Sequence, residues 1–176
     1  MTTPYPFLFT FNLRRSIYQH SGSYYFGKMS RLGLTHIPVV NNLDQGVEAR
    51  GKQLSRLVRE HLDQEGIEKC HLVSYSLSGI DARYALSQLG LDSRVNSLTT
   101  VATPHLGCRL AWLAQKQVIT DRQAEPIARL LGVGLRSFWE ITRENMHNFN
   151  ARTPDSPHVQ VLPADAVLLD RGGAAA

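Results

Sequence analysis

The segment Cys70–Tyr84, CHLVSYSLSGIDARY, constrains this chain more than any other. An apolar step, Leu72-Val73, leads into Ser74-Tyr75-Ser76-Leu77-Ser78-Gly79, and a helix-like stretch, Ile80 to Gln88, follows at once. A strand that turns directly into a helix holds the residue at the bend in a strained conformation. A serine there has its hydroxyl exposed at the top of the sheet, the arrangement of a nucleophile elbow. Strand and helix backbones pass close to each other at the bend, so the residues two before and two after it must be small. The strict pattern is G-x-S-x-G. Here Ser74 and Ser78 stand in for both glycines and read as spacers, which leaves Ser76 as the candidate nucleophile.

The rest of the chain alternates as a parallel α/β sheet requires. Phe7 to Phe11 reads as a buried strand, Tyr24 to Leu32 as a short helix ending near Gly33, and Thr35 to Val40 as a strand. Pro38 marks that strand as an edge or an irregularity. Gln45 to Gln64 reads as a helix with Val47, Leu54, Leu57, Val58 and Leu62 on one face and Arg50, Arg56, Arg59 and Glu60 elsewhere. Gly66 ends it. Cys70 to Tyr75 is the strand before the bend, and Ile80 to Leu89 the helix after it, stopped by Gly90. Val95 to Ala102, rich in β-branched residues, is the next strand. Arg109 to Val118, Ala124 to Leu131 and Ser137 to Phe149 read as helices, and His158 to Leu162 as a last short strand.

The motifs together resemble the triacylglycerol lipases of bacterial type within the α/β-hydrolase superfamily. Gly79-Ile80-Asp81-Ala82-Arg83-Tyr84 matches the start of the helix after their nucleophile, and Leu98 to Gly107, LTTVATPHLG, matches their next strand and its exit. Glu48-Ala49-Arg50 to Leu54, Glu144-Asn145-Met146, Phe149-Asn150 and Thr153-Pro154-Asp155 extend the likeness over roughly residues 24 to 162. Tyr75 departs from the family's usual histidine before the nucleophile. The resemblance implies a partial α/β-hydrolase fold: a mostly parallel sheet flanked by helices, with a helical lid-like region after residue 108. Residues 1–162 form this partial domain, and residues 163–176 a disordered, divergent tail. In lipases the region holding Trp112, Phe138, Trp139 and Met146 forms the lid or the acyl-binding wall; plain packing is the competing reading.

The implied chemistry is hydrolysis of a carboxylic ester, a triacylglycerol or similar lipid, through an acyl-enzyme on Ser76. A serine needs a histidine to take its proton and a carboxylate to orient that histidine, in the chain order Ser, Asp or Glu, His. The family carries the last two on loops beyond the segment matched by Phe149-Asn150. After Ser76 come only His105, His147 and His158, and none is read as the base. His105 belongs to the structural T-P-H turn. Asp165 and Asp170 lie in a tail unlike the family and read as solvated. Past Gln160 the likeness stops. The expectation is a chain cut by frameshift, alternative splicing or a gene-model error, which transcript sequence beyond Gln160 tests. For the oxyanion hole, one N–H comes from Leu77 and the other from Phe11, Asn12 or Leu13, where the family has a His-Gly pair. The chain as written is therefore expected to be weak or inactive. A non-catalytic binding or scaffold role on the same fold is the alternative. Asp81 and Arg83 read as structural, in capping or pairing.

Composition sets the remaining bounds. The 176 residues, 43% hydrophobic and 19% charged, suit one globular domain. No apolar run reaches a membrane span. The basic residues behind the net charge of +4 are scattered without a nucleic-acid motif. No metal-ligand spacing and no phosphate loop is visible, so no cofactor is expected. Cys70 and Cys108 read as free thiols in a reducing compartment. Residues 1 to 43 hold Arg14, Arg15, Lys28 and Arg31 but no acid, as a mitochondrial transit peptide does, although a strand and a helix are the favoured reading there. Localisation is thus read as intracellular, cytoplasmic or mitochondrial. A sheet that stops early leaves an exposed edge, so a partner or self-association through it is expected.

Overall fold

The computed structural model describes residues 5–12, 27, 31, 35–39, 45–116, 120–130 and 133–163. Five strands, β1 (Phe7–Asn12), β2 (Thr35–Val39), β3 (Cys70–Tyr75), β4 (Val95–Val101) and β5 (Gln160–Pro163), form a sheet in the order β2-β1-β3-β4-β5. Every pairing between them is parallel. Their C-terminal ends therefore lie along one side of the sheet, where α/β folds place their sites. β2 closes one end of the described sheet, which suits Pro38, a residue without an N–H to give to an outer neighbour. The reading of Tyr24 to Leu32 as a helix falls largely outside the described residues, as do Leu13 and the segment from residue 164 on.

Among the described residues from 45 on, the α-helices are α1 (Val47–Gln64), α2 (Leu77–Gln88), α3 (Arg109–Lys116), α4 (Asp121–Leu130), α5 (Leu135–Glu140) and α6 (Arg143–Arg152). One core cluster packs Leu54, Val58 and Leu62 of α1 and Ala82, Ala85 and Leu86 of α2 against Leu8, Leu72 and Leu98 of the sheet. A second gathers Leu77 and Ile80 of α2 with Ala111, Ala124, Phe138, Ile141, Met146 and Phe149 from α3 to α6 and the α5–α6 junction. The helix after the bend thus belongs to both cores and joins them. At Gly51 an added Cβ would lie 2.6 Å from Tyr84 Cδ1, so α1 and α2 approach more closely than a side chain there permits.

Three readings need correction. The helix after the bend begins at Leu77, not Ile80, because Ser76 itself is the residue before its first turn. Ser137 to Phe149 is not one helix. α5 ends at Glu140, and Thr142 caps α6 by accepting from the Asn145 N–H at 3.4 Å. Arg50, placed off the apolar face of α1, is 1% exposed. It stands four residues before Leu54, on the buried stripe, and its charge is met there by carboxylates.

Cys70 and Cys108 are free, and Cys70 is buried. Burial pushes the Cys70 thiol from its ordinary 9.0 up to about 12, against a smaller opposite pull from Arg94. The raised pKa stabilises the fold fully below pH 9.0, and that stability is lost as pH rises toward about 12, because the unfolded chain gives up the proton first. Denaturation midpoints are therefore expected to fall across this window, and to fall less steeply in Cys70→Ala. Equal slopes for the two proteins would contradict the assignment.

Candidate active site

Ser76 has φ 55° and ψ −129°. Among the described residues, only Ala102 shares a positive φ without being glycine. A conformation of this kind costs roughly 1–3 kcal/mol and persists only where its surroundings enforce it. Here they do. The Ser76 N–H donates to the Val101 carbonyl of β4 at 2.8 Å. The Ser76 carbonyl accepts from the Gly79 N–H at 3.1 Å and from Thr103 Oγ1 at 2.9 Å. Strand, bend and helix are thereby locked, and Ser76 sits at the C-terminal end of the central strand.

Beneath the bend lies a chain of hydroxyls. Ser78 Oγ donates to Thr10 Oγ1 at 3.0 Å, and Thr10 Oγ1 and Ser74 Oγ are 2.7 Å apart. All three side chains are fully buried. Ser74 and Ser78 are small, as expected, but they are also bonded, and both bond to Thr10, which the sequence reading did not single out. Its one sequence signal is a hydroxyl in the middle of an aromatic strand, FLFTFN.

Register places Phe11 opposite Tyr75, the residue before Ser76, and Asn12 opposite Val39. The end of β1 thus runs beside the bend, while Leu77 opens α2 directly after it. These are the three backbone positions expected at the oxyanion hole that fall within the described residues.

Asp81 and Arg83 hold the scaffold together. Arg50 Nε donates to both Asp81 oxygens at 3.1 and 3.2 Å, and its Nη1 reaches Glu140 at 2.8 Å and Ser137 Oγ at 2.9 Å. Burial works against the Arg50 charge, but the carboxylates of Asp81 and Glu140 outweigh it and hold the guanidinium above its ordinary value. Glu140 also accepts from the Val47 N–H at 3.0 Å, at the start of α1. Arg83 binds Asn150 Oδ1 at 2.7 Å, the Thr153 carbonyl at 3.2 Å and Asp155 at 3.1 Å, which ties α2 to α6 and to the segment after it.

His105 has both ring nitrogens engaged. Nε2 lies 2.9 Å from Thr100 Oγ1 and Nδ1 lies 3.4 Å from Arg83 Nη1. Arginine only donates, so Nδ1 accepts and Nε2 carries the hydrogen toward Thr100. His71 sits at the other end of β3, bonded to Ser97 at 2.7 Å and stacked on Phe7. His147 and His158 are exposed. Among the described residues, no histidine or carboxylate is hydrogen-bonded to the Ser76 hydroxyl. Asp165 and Asp170 lie outside the described residues.

Phe138 and Met146 are buried in the second core, whereas Trp139 gives its indole N–H to Asp121 at 3.1 Å and Trp112 lies beside Arg143. Among the described residues no His, Cys, Asp or Glu group is arranged to hold a metal, and no helix is long and apolar enough to cross a membrane.

A parallel sheet with a strained serine between its central strand and the following helix defines an α/β-hydrolase. Residues 36–121 match the family described as "Putative serine esterase (DUF676)". Triacylglycerol lipase 2 of Saccharomyces cerevisiae is 25% identical over 126 residues, 71% of this chain and 38% of that protein. A triacylglycerol lipase of Pseudarthrobacter phenanthrenivorans is 35% identical over 78 residues, 44% of this chain and 24% of that protein. The chain thus covers well under half the length of either relative. The mature lipase BlEst2 of Bacillus licheniformis superposes with a TM-score of 0.73 at 24% identity, covering 90% of this chain and 64% of that one, which shows a shared fold. The chain belongs to the α/β-hydrolase superfamily, among its lipase-like members.

Proposed function

We propose that Ser76 is the nucleophile of a carboxylic-ester hydrolase site. The observation that carries this reading is the enforced positive φ of Ser76, a strain that places one hydroxyl at the bend. Its Oγ forms a bond to the ester carbonyl carbon, its proton passes to a base, and the alcohol leaves with a proton. Water then releases the acid from the acyl-enzyme. The oxyanion is held by the Leu77 N–H and by an N–H at the end of β1, at Phe11 or Asn12. Among the described residues none pairs with the Ser76 hydroxyl, so the base is left unassigned.

The proposed substrate is an ester with an apolar acyl chain, a triacylglycerol or similar lipid. Exposed apolar groups lie at or after the C-terminal ends of two strands: Tyr75 ends β3, Leu106 lies in the turn after β4, and Leu110 follows in the first turn of α3. The similarity to triacylglycerol lipases supports this choice. The same missing contact, a Ser76 hydroxyl with no base among the described residues, favours the second reading, a non-catalytic binding scaffold.

Fluorophosphonate labelling, read by intact mass on the wild-type chain and on Ser76→Ala, separates the two. A single adduct on the wild type, absent from the alanine variant, is expected. A folded wild type that takes up no label would overturn the catalytic reading in favour of the scaffold.

A further inference from the structure

We propose that Thr10 is a positioning residue for the oxyanion hole, an inference that rests on the assignment of Ser76 as nucleophile. Its hydroxyl bonds Ser74 at 2.7 Å and Ser78 at 3.0 Å, the residues two before and two after Ser76. Ser78 donates to Thr10, and either hydroxyl can supply the proton between Thr10 and Ser74, so one buried side chain grips both flanks of the bend at once. Thr10 lies opposite Ser74 in the β1–β3 register and directly precedes Phe11, whose N–H is one of the proposed donors. The other proposed donor, Leu77, directly precedes Ser78. One hydroxyl chain therefore sets the spacing between the two pieces of backbone that hold the oxyanion.

Where both flanking residues are glycine, bare van der Waals approach of the backbones sets this spacing. This chain has serine at both positions and meets them with a third hydroxyl. A buried hydroxyl without a partner is costly, so Thr10, Ser74 and Ser78 depend on one another. A donor misplaced by about 1 Å lowers the rate on the order of a hundredfold, so a small relaxation of β1 is enough to matter.

The test measures the rate of fluorophosphonate labelling at Ser76 in four proteins: wild type, Thr10→Val, Thr10→Ser and Thr10→Val/Ser74→Ala/Ser78→Ala. The triple variant removes all three hydroxyls together, leaves none unpaired, and is expected to melt close to the wild type. Labelling of Thr10→Val and of the triple variant is expected to slow about tenfold or more, and Thr10→Ser, which keeps the hydroxyl, to restore it. Amide exchange at Leu77 and Phe11 is expected to quicken in Thr10→Val while that within α1 stays unchanged. A triple variant that folds and labels at the wild-type rate overturns the proposal, and so does unchanged exchange at Leu77 and Phe11. A wild type that does not label defeats the Ser76 assignment and the positioning role that depends on it. That failure appears in the wild type itself, whereas failure of the positioning role alone appears only in the variants.

Discussion

Arg50→Met is expected to destabilise the chain by about 3–5 kcal/mol, enough to leave a large share of it unfolded at 37 °C. Asp81 is fully buried and Arg50 is 1% exposed, so the substitution strands a carboxylate with its main counter-charge removed. It also takes one partner from Glu140, which is 27% exposed and can turn to water at lower cost. The loss is not the worth of the ion pair itself, since a buried pair often does no better than well-packed apolar residues of the same volume. Chemical denaturation of Arg50→Met, Asp81→Leu and the double variant distinguishes the two. The double variant is expected to be more stable than Arg50→Met alone. Strictly additive losses would show that the two side chains act independently.

The same geometry explains why the resemblance lies where it does. D-A-R-Y and T-P-H are its most specific elements, and none of their charged groups touches Ser76 among the described contacts. Asp81 holds α2 to α1 and, through Arg50, to α5; Arg83 holds α2 to α6; His105 joins the turn after β4 to both. These residues fix the helix that begins at the nucleophile. Their identity reports the fold, and only through the fold the chemistry.

What could be read from the sequence was what local chemistry decides. Cys70–Tyr75 was legible from its apolar run, and the ends of the neighbouring helices from Gly66 and Gly90, both at φ 64° in the structure. Ser76 was legible because a strand running into a helix with no linker leaves only one residue to absorb the bend. The break between α5 and α6 was hidden, since Phe138, Ile141, Met146 and Phe149 keep helical spacing straight through it. A tertiary bond helps hold the break, the Cys108 N–H on the Ile141 carbonyl at 2.7 Å. Thr10 was hidden for a similar reason. A threonine in a strand is ordinary, and its partners lie 64 and 68 residues away. Arg50 looked solvated because a charge on an amphipathic helix usually is, although its spacing to Leu54 and Val58 already put it on the buried stripe.

Gly79→Ala is expected to cost about 2–3 kcal/mol and to abolish labelling of Ser76 in whatever fraction remains folded. A Cβ at position 79 would lie 2.2 Å from Thr103 Oγ1, 2.8 Å from its Cγ2 and 3.0 Å from its Cβ. All three atoms belong to one short β-branched side chain, itself buried, so nothing flexible is available to move aside. Thr103 Oγ1 also donates to the Ser76 carbonyl at 2.9 Å, and an alanine methyl would push that donor off the bend. Packing and bonding can be separated with Gly79→Ala/Thr103→Ala, which removes the two nearest atoms but not the 3.0 Å Cβ contact. Its thermal stability is expected to recover most of the loss. Its labelling rate is expected to remain low, because the hydrogen bond that helps hold Ser76 at positive φ is gone. Recovery of stability and labelling together would mean that the clash alone matters, and that the Thr103 bond has no part in keeping the nucleophile in place.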